Sequence, residues 1–528
     1  MRGFTFGIFA LLGILVISCG RGGAKRTLRE GDVQAGDTLA LSVKTIGRFP
    51  DTIYLAPENL TWRVSILDSA LNGPLEYLED PYPELDGVYT FRGNHARNMP
   101  AGQVHGIPSE IVKEWEFQTE SDTTHTDFGV WYGGSGWTGQ PAFVHWSDTM
   151  AAQFRALSPG LTANFSRDEI IFGSLCRKVY FLNFDTGRPS RREIYAGNVI
   201  KGSVSVDPQF ANVYVGQGVP IEEFFGSFVI DLLNHTVSQK FGRDASAWRS
   251  WGAYDSSPVV AGGFLFWPGE NGTIYKFARS QGQLHPVASL RYRHAGSWGA
   301  AGVESSLAVC RNYGYFADNR GIIMCINFDT MSPVWCYDNH DDTDATVVLD
   351  VAGEVPYLYT CSEVDRQGNS GVACMVALNG LNGEEVWKTE FQCNKAFRGE
   401  KSSDGGMYST PVLGSGDCSH LLFTTICDHN PAFHGKAVAI DRSDGRIVWE
   451  HSLKHYAWSS PVAFLNEDGK MFLFQGDCTG NVYLLDGLTG ERLFTNHVAN
   501  NFESSPVVVG DCVVVGSRGN TIYKFRIR

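Results

Sequence analysis

Short apolar runs separated by glycine turns recur along most of this chain. The phrase "SSPVVAGG" at residues 256–263 returns as "SSPVAFLN" at 459–466 and as "SSPVVVGD" at 504–511. From Trp137 onward, a unit opens with this phrase or a relative and continues as a strand. It then turns at glycine and forms second and third strands such as "GFLFWPG" and "GTIYKF". Several units add a fourth strand that ends in an aromatic residue. Four short antiparallel strands per unit are typical of a β-propeller blade.

The number of opening phrases gives the number of blades. Their proline-equivalent positions are Pro141, Val204, Pro258, Leu307, Val347, Pro411, Pro461 and Pro506. Shared among eight units, residues 137–528 give about 49 residues each, which suits a four-stranded blade with loops. The sequence therefore predicts an all-β, eight-bladed propeller of four-stranded antiparallel blades. Val204 and Val347 open the weakest units, so seven blades with one insertion is the alternative. In each unit the small hydroxyl residues are expected to let the innermost strand approach the axis.

The last unit supplies only three strands before Arg528. Upstream, "IVKEWEFQTE" at residues 111–120 has the pattern of the fourth-strand segment "EEVWKTEF". Because an unpaired outer edge invites aggregation, we expect residues 111–120 to complete the last blade and close the ring. This assigns 87–136 to a lead-in segment and 137–528 to the propeller. Residues 20–86 are read as a polar tether and a small β appendage without an assigned function.

The beginning of the chain resembles a bacterial lipoprotein signal. Arg2 precedes the apolar stretch "FTFGIFALLGILVI", and small Ser18 precedes Cys19 in "VISC". Residues 1–19 are therefore predicted to be a signal peptide with a lipobox, and Cys19 is the predicted lipidation site. The protein would then be anchored in the cell envelope by its lipid, at the outer membrane or facing the periplasm. An ordinary secretion signal is the alternative.

Composition excludes several classes of protein. With 43% hydrophobic and 19% charged residues, the chain is globular rather than disordered. A formal net charge of −14 without a basic stripe argues against nucleic acid as a partner. Of the twelve cysteines, eleven remain after Cys19, so at least one thiol lacks an intrachain partner. The pairs Cys361/Cys374 and Cys418/Cys427 are read either as disulfides or as buried thiols.

The repeat resembles that of the quinoprotein-type propellers, which bind pyrroloquinoline quinone (PQQ). The resemblance lies in Ser-x-Pro-Val, the glycine turns, the "x-T-G" turn of "VYLLDGLTGERLF" and the tryptophan of the fourth strand. The segment "VYTFRGNHARN" at 88–98 is similar to the one that precedes the first blade in such proteins. This resemblance implies the fold. It leaves the function open, since the same repeat serves dehydrogenases and non-catalytic lipoproteins, among them the propeller lipoprotein of the outer-membrane β-barrel assembly machinery.

Catalytic chemistry finds little support in the residues. The alcohol dehydrogenases of this fold carry two adjacent cysteines over the quinone, and this sequence has no Cys-Cys pair and no Cys-x-x-Cys-His haem motif. No cofactor is therefore expected, and PQQ with Ca²⁺ is kept only as an alternative. No metal site is predicted either. The stretch "CDHNPAFH" at 427–434 is read as a polar hairpin loop, with a bound metal as the alternative. The stretch "NHDDTD" at 339–344 is read as a solvated acidic turn, with Ca²⁺ on Asp341, Asp342 and Asp344 as the alternative.

The candidate binding face lies where the loops between blades meet the turns between second and third strands. Its aromatic candidates are Trp131, Trp137, Trp248, Trp251, Tyr254, Trp298, Tyr408 and Trp458. Lys201, Asp255, Glu304 and Glu503 stand just before inner strands and are expected to surround the channel entrance. Such a surface suits a protein partner or a glycan. The alternative is that the aromatic residues wedge blades together and the carboxylates cap strands.

These features predict a membrane-anchored binding or scaffold propeller that engages a protein partner or glycan and has no catalytic residues. Two alternatives from other classes remain. One is a PQQ-dependent sugar or alcohol dehydrogenase, and the other is a carbohydrate-active enzyme that uses Asp255, Glu304 and Glu503.

Overall fold

Eight antiparallel sheets form the blades of a β-propeller. The structure, a computed structural model, describes residues 47–49, 60–75, 80–136, 139–294, 301–398, 401–403, 405–427 and 434–528. In all eight sheets the innermost strand begins at the residue directly after the predicted opening position, from Ala142 in blade one to Val507 in blade eight. The prediction of eight blades is confirmed, and the weak openings at Val204 and Val347 each start a four-stranded blade.

Blades one to four contain the following strands, in blade order: Gly87–Val88, Ala142–His145, Asp168–Gly173, Lys178–Asn183 and Ile194–Tyr195; Ser205–Asp207, Asn212–Gly216, Ser227–Asp231 and Thr236–Phe241; Leu60–Ile66, Val259–Ala261, Phe264–Gly269, Thr273–Ser280 and Gln283–His294; Ala308–Cys310, Tyr313–Ala317, Ile322–Asn327 and Ser332–Asp338. Blades five to eight contain Val348–Asp350, Tyr357–Cys361, Ser370–Asn379 and Glu385–Asn394; Val412–Leu413, Leu421–Cys427, Gly435–Asp441 and Ile447–Leu453; Gly102–Gln103, Val462–Leu465, Met471–Gly476, Asn481–Asp486 and Arg492–His497; Val507–Val509, Cys512–Ser517, Thr521–Ile527 and Ile111–Gln118.

The remaining regular structure is short. It comprises the strand pairs Glu363–Val364 with Gly405–Gly406 and Ala396–Arg398 with Lys401–Ser403, the helix Asp148–Leu157, and the 3-10 turns Tyr82–Glu84 and Gly416–Cys418. Ser147 caps the helix by accepting a hydrogen bond from the Met150 N–H at 3.1 Å. No helix in the described part of the chain is long and apolar enough to cross a membrane.

The hydroxyl residues of the opening phrases link neighbouring blades around the axis. In five adjacent pairs of blades, the residue directly before the proline-equivalent position donates its N–H to the hydroxyl of the equivalent residue in the next blade, at 2.8 to 3.1 Å. These bonds run from Gln140 to Ser203, Ser257 to Ser306, Ser306 to Thr346, Thr346 to Thr410, and Thr410 to Ser460. A sixth such bond, from Ser460 to Ser505, measures 3.4 Å. The phrase therefore recurs because an inner strand needs a small acceptor for the neighbouring N–H as well as room at the axis.

Tryptophans of the outer strands lock each blade onto the next. The indole N–H of Trp335 donates to the Gly380 carbonyl of blade five at 2.9 Å, and a Cβ added at Gly383 would lie 2.7 Å from that ring. Gly383 has a φ of +76°, so the "NG" turn combines left-handed backbone with close approach of the ring. Trp387, Trp449 and Trp115 repeat this contact on Arg442, Gly487 and Phe184 of the following blades, each at 2.9 Å.

The ring closes through the lead-in segment, as predicted. Ile111–Gln118 pairs antiparallel with Thr521–Ile527 and becomes the outer strand of blade eight. The Glu114 carboxylate also forms an ion pair with Lys524 at 3.0 Å. Leu60–Ile66, within the stretch assigned to the appendage, pairs with Gln283–His294 as a fifth strand on blade three.

Residues 87–103, named here the axial segment, bond to every blade. Gly87–Val88 pairs with the inner strand of blade one, the Val206 N–H of blade two donates to the Tyr89 carbonyl, and Thr90 Oγ1 donates to the Pro258 carbonyl of blade three. The Val309 N–H of blade four donates to the His95 carbonyl, and the Leu349 N–H of blade five donates to the Ala96 carbonyl. Arg92 donates to the carbonyls of Thr410 in blade six and Pro461 in blade seven, and the Gln103 N–H donates to the Gly510 carbonyl of blade eight. This segment therefore occupies the axis and satisfies inner-strand groups that have no neighbouring strand.

Two fully buried arginines do much of this work. Arg92 donates to the carbonyls of Thr410 and Pro411 at 2.7 and 3.1 Å and to that of Pro461 at 2.9 Å. Arg97 donates to the carbonyls of Leu307, Phe91 and Ser257 and to the Thr90 hydroxyl. Burial lowers the pKa of Arg92 to about 9 and that of Arg97 to about 10.

The cysteines settle one open question. None of the eleven cysteines in the described residues forms a disulfide. Cys361, Cys374, Cys418 and Cys427 are buried within the blades, so both candidate disulfide pairs are thiols that pack as small apolar side chains.

Candidate functional site

The loop face, which carries the inter-blade connections and the turns between second and third strands, brings three predicted residues together. Lys201, Asp255 and Glu304 precede the inner strands of blades two, three and four. The Lys201 ammonium contacts the Asp255 carboxylate and lies 3.5 Å from the Glu304 carboxylate. Glu503 is buried elsewhere and pairs with Arg518 at 3.3 Å. Glu503 is not among the carboxylates whose oxygens converge with those of Asp255 and Glu304.

Two groups of three carboxylates lie on the loop face, where the inter-blade connections approach the propeller axis. Oxygen atoms of Asp255, Glu270 and Glu304 lie within 4.8 Å of one another, and so do those of Asp342, Asp344 and Glu363. Glu270 belongs to the turn between the second and third strands of blade three, and its Oε2 accepts from the Trp251 indole at 3.0 Å. We name the first group the acidic triad and the second group the neighbouring triad.

Sequence reasoning missed Glu270 and Glu363 and misjudged residues 339–344. Asp341 is buried and accepts from the N–H groups of Asp365 and Arg366, so this turn is not simply solvated. Asp342 and Asp344 are half-buried members of the neighbouring triad. The position of Asp344 in its repeat could have identified it, because Asp344 lies three residues before Val347, as Asp255 lies three residues before Pro258.

Mutual repulsion and burial perturb these carboxyl groups. Burial, together with Glu304, raises the pKa of Asp255 to about 6 even though Lys201 opposes the shift. Burial, Glu304 and Asp255 hold the pKa of Glu270 well above its usual range. Burial and neighbouring carboxylates raise the pKa of Asp342 and Asp344 likewise. Two ionised carboxylates 4.8 Å apart repel by about 3.5 kcal/mol at an effective dielectric constant of about 20. The triads therefore favour added protons or cations.

A small polar cavity lies at the axis beneath these groups. It measures about 20 Å³, and its lining includes Phe91 of the axial segment, Asp255, Glu304 and Asp344, with hydroxyl residues such as Ser306. This volume holds about one water molecule or ion. A tricyclic quinone needs far more space and flat packing surfaces, so this axial cavity does not fit PQQ.

Four of the predicted aromatic residues are buried in the propeller and do not form an exposed surface. Tyr254 packs against Trp267 with centroids 5.5 Å apart, and Tyr408 packs against Trp458 at 4.9 Å. These residues and Trp131 are each less than one-tenth exposed. The alternative role as wedges between blades fits them better. Trp137 and Trp298, like Cys19, lie outside the described residues.

An exposed aromatic patch on the loop face contains the predicted Trp248 and Trp251 together with Tyr132 and with Phe128, which the sequence analysis passed over. Residues 122–132 fold back on themselves through pairing of Asp122 with Tyr132, and Phe128 at the tip meets Trp251 with ring centroids 5.9 Å apart. Phe128 is 57% exposed and Tyr132 is 49% exposed. Trp248 and Trp251, both in the connection that leads to the inner strand of blade three, are half-buried, and the Arg293 guanidinium lies 5.0 Å from the Trp248 ring centre. We name Phe128, Tyr132, Trp248 and Trp251 the aromatic patch.

Comparison with known proteins offers one functional lead. Residues 434–528, which run from the third strand of blade six to the end of blade eight, match the family model described as "Outer membrane protein assembly factor BamB". No curated protein sequence matches the chain.

Two solved propellers illustrate the structural similarity. BamB from Moraxella catarrhalis aligns with a TM-score of 0.46 and 15% identity, covering 70% of this chain and 93% of that one. A europium-containing methanol dehydrogenase aligns with a TM-score of 0.41 and 14% identity, covering 84% of this chain and 99% of that one. Both are distant, so the fold rests on the eight sheets themselves.

Proposed function

We propose that this chain is a non-catalytic scaffold of the cell envelope that binds a protein partner through its loop face and takes part in outer-membrane protein assembly. The exposed aromatic patch is the observation that carries this proposal. The family match over residues 434–528 supports the assembly role, because that family is described as an outer membrane protein assembly factor.

The patch has the composition of an interface centre. Tryptophan, tyrosine, phenylalanine and arginine are enriched at protein interfaces, and Phe128 and Tyr132 expose about half of their surface. Asp122 holds the base of the fold-back by its ion pair with Arg177 of blade one at 2.5 Å. A partner would therefore meet aromatic side chains on a supported element rather than on an isolated loop.

Attachment to a membrane through Cys19 is part of the same proposal. It rests on the "VISC" motif after an apolar stretch. Metabolic labelling with a radioactive fatty acid tests it: the wild-type chain should incorporate label, and Cys19→Ser should not. Label retained by Cys19→Ser would refute lipidation at this residue.

Site-specific crosslinking tests the binding face. A photoreactive amino acid is placed at Phe128 or Tyr132 in the full chain expressed in its native envelope. Matched controls carry it at Ile107, which is 61% exposed, and at Leu488, which is 44% exposed. We expect one discrete envelope protein to crosslink from both patch positions and from neither control. Crosslinks of equal strength from the controls would contradict a specific loop-face interface.

A functional measurement completes the test. The chromosomal copy is replaced by the Phe128→Ser/Tyr132→Ser double variant or by Leu488→Ser. Folded β-barrel proteins are then quantified by their heat-dependent gel mobility. The double variant should lower their amount at an unchanged level of the propeller, whereas Leu488→Ser should not. Wild-type amounts in the double variant would refute the assembly role of the patch.

A further inference from the structure

A groove opens between blades five and six on the face opposite the loop face. This turn face carries the turns between first and second strands and between third and fourth strands. One wall of the groove is the surface of blade five with Tyr357, Tyr359 and Val386, and the other is formed by the turns of blade six around His420 and Arg442. The volume of about 630 Å³ is in the range of pockets that enclose a ligand, and it accepts several residues of a peptide.

The chain fills the equivalent groove between blades four and five with its own Phe49. Tyr313 pairs with Cys310 in blade four as Tyr357 pairs with Asp350 in blade five, so the two tyrosines occupy the same position in their blades. The Phe49 ring packs against Tyr313 with centroids 4.9 Å apart and belongs to the hydrophobic cluster that the two blades share. Phe49 is 7% exposed, and Tyr313 is fully buried beneath it.

Polar contacts hold Phe49 and its neighbour in that groove. The Asn312 side chain accepts a hydrogen bond from the Phe49 N–H at 2.8 Å and donates one to the Phe49 carbonyl at 3.2 Å. Arg48 donates to the Asp329 carboxylate of blade four at 2.7 Å. The propeller thus already binds a basic residue followed by an aromatic residue between two blades, through ring packing, backbone hydrogen bonds and an ion pair.

Tyr357 lacks such a cover among the described residues. It is 39% exposed, and Val386 beside it in the groove is 46% exposed. The residues at the same strand position in the other blades are buried, apart from half-buried Phe264: Glu169, Asn212, Phe264, Tyr313, Leu421, Phe472 and Cys512. An exposed tyrosine on a wall that covers an aromatic side chain in the preceding blade indicates a binding surface.

Hydrogen bonds to a bound backbone would come from blade six. Blade five has Pro356 where blade four has Asn312, and proline offers no side-chain donor. Ser419, His420 and Ser443 are exposed on the opposite wall, and their hydroxyl and imidazole groups supply donors and acceptors. Tyrosines beside such groups suit a peptide or a glycan, and the contacts of Phe49 in the equivalent groove favour the peptide.

Charge selects the residue beside the aromatic side chain. Asp350 and Asp441 line the groove together with a single guanidinium, that of Arg442. Arg442 contacts Asp350 and donates to the Ser419 carbonyl at 2.9 Å, whereas Asp441 lies 3.5 Å from the exposed guanidinium of Arg446, a pair that solvent weakens. We propose that this groove binds a peptide segment of a partner protein in which a phenylalanine or tyrosine follows a basic residue.

In this complex the aromatic ring packs on Tyr357 and the basic side chain pairs with Asp441. The groove lies on the turn face, so the proposal does not depend on the interface proposed above for the loop face. Arg442 borders the bound segment but is held by Asp350, which keeps its guanidinium away from the incoming basic side chain.

Calorimetric titration of the full chain in detergent with designed hexapeptides tests the groove. The probe is acetyl-Gly-Gly-Arg-Phe-Gly-Gly-amide, and its controls carry Glu in place of Arg or Ala in place of Phe. The wild type should bind the probe with a Kd between about 10 μM and about 1 mM, and each control peptide at least about tenfold more weakly. Tyr357→Ala should weaken binding of the probe by about tenfold or more, whereas Tyr195→Ala, at an exposed tyrosine of blade one, should leave it unchanged.

Three results would overturn the proposal. They are absence of probe binding by the folded wild type at about 1 mM, unchanged binding by Tyr357→Ala, and equal binding of the probe and the Glu-containing peptide. The hexamer of N-acetylglucosamine is titrated in parallel. If it binds in a manner that requires Tyr357 and the peptide does not bind, the groove is a glycan site and the peptide assignment is wrong.

Photocrosslinking locates the bound peptide independently of these variants. The probe carries benzoylphenylalanine in place of Phe, and mass spectrometry identifies the crosslinked residues after irradiation. We expect crosslinks to Tyr357 or Val386 of blade five, or to residues 419–443 of blade six. Because the probe imitates Arg48 and Phe49, its entry into their own groove is the competing result. Crosslinks confined to the surroundings of Tyr313, or to the aromatic patch, would refute the assignment.

Discussion

Replacing Arg92 by methionine removes the charged centre of the axial segment and keeps most of its volume. The guanidinium donates to the carbonyls of Thr410, Pro411 and Pro461, which lie on the inner edges of blades six and seven. After the change these carbonyls remain buried at the axis and lose those donors. We expect the chain to fold with a lower free energy of unfolding.

The magnitude follows from two opposing effects. Hydrogen bonds to a charged group contribute about 1.5–3 kcal/mol each, so three such bonds represent about 4.5–9 kcal/mol. The variant no longer buries a guanidinium whose desolvation costs several kcal/mol, and this offsets part of the loss. We therefore expect Arg92→Met to lower the free energy of unfolding by about 3–5 kcal/mol, a large share of the about 5–15 kcal/mol typical of whole domains.

Equilibrium unfolding in urea, followed by tryptophan fluorescence and by far-ultraviolet circular dichroism, measures this difference. Coincident transitions by the two probes are required before a free energy is derived. Arg446→Met is the control, because Arg446 is 64% exposed and its loss should change stability by about 0.5 kcal/mol or less. A loss below about 1 kcal/mol for Arg92→Met would show that the three carbonyls do not depend on the guanidinium, and the account of the axial segment would be wrong.

Two further predictions concern titration and thiols. Burial raises the pKa of Asp255 from 3.8 to about 6, so the folded state binds this proton more tightly than the unfolded state does, and stability should fall as the pH rises from about 4 to about 7. In EDTA, thermal unfolding of Asp255→Asn should show a smaller fall over that range, and an equal or larger fall would contradict the assignment. None of the eleven described cysteines forms a disulfide, and burial raises the pKa of Cys310 to about 11. A thiol reagent applied without reductant should therefore label all eleven in urea and few in the native protein, whereas fewer than eleven in urea would indicate disulfides.

The propeller could be predicted because its repeated residues perform local tasks. The opening hydroxyl accepts a neighbouring N–H, and the outer-strand tryptophan fits beneath a glycine turn, so both leave a mark in every unit. Residues 111–120 could be placed in blade eight because they carry the outer-strand pattern without belonging to a unit. Even the weak openings at Val204 and Val347 keep Ser203 and Thr346, the hydroxyls that accept these bonds.

The site was harder to predict because it is assembled between units. Glu270 looks like a residue of an ordinary turn until ring closure brings it within 4.8 Å of Asp255 and Glu304. Tyr408 and Trp458 occupy loops in the sequence, yet they are buried because adjacent blades converge on them. Phe128 follows no repeat pattern, and its exposure depends on the fold-back of residues 122–132. Burial and juxtaposition across blades are properties of the ring, which no single unit encodes.

The two early strands of the lead-in segment impose an order on biosynthesis. Gly102–Gln103 pairs with Val462–Leu465, and Ile111–Gln118 pairs with Thr521–Ile527. A ribosome makes the earlier strands first, and they must then wait while about 350 to 400 residues follow. During that interval their edges are unpaired and prone to wrong partners, so folding of this ring should be slow and should benefit from chaperones that shield the waiting strands.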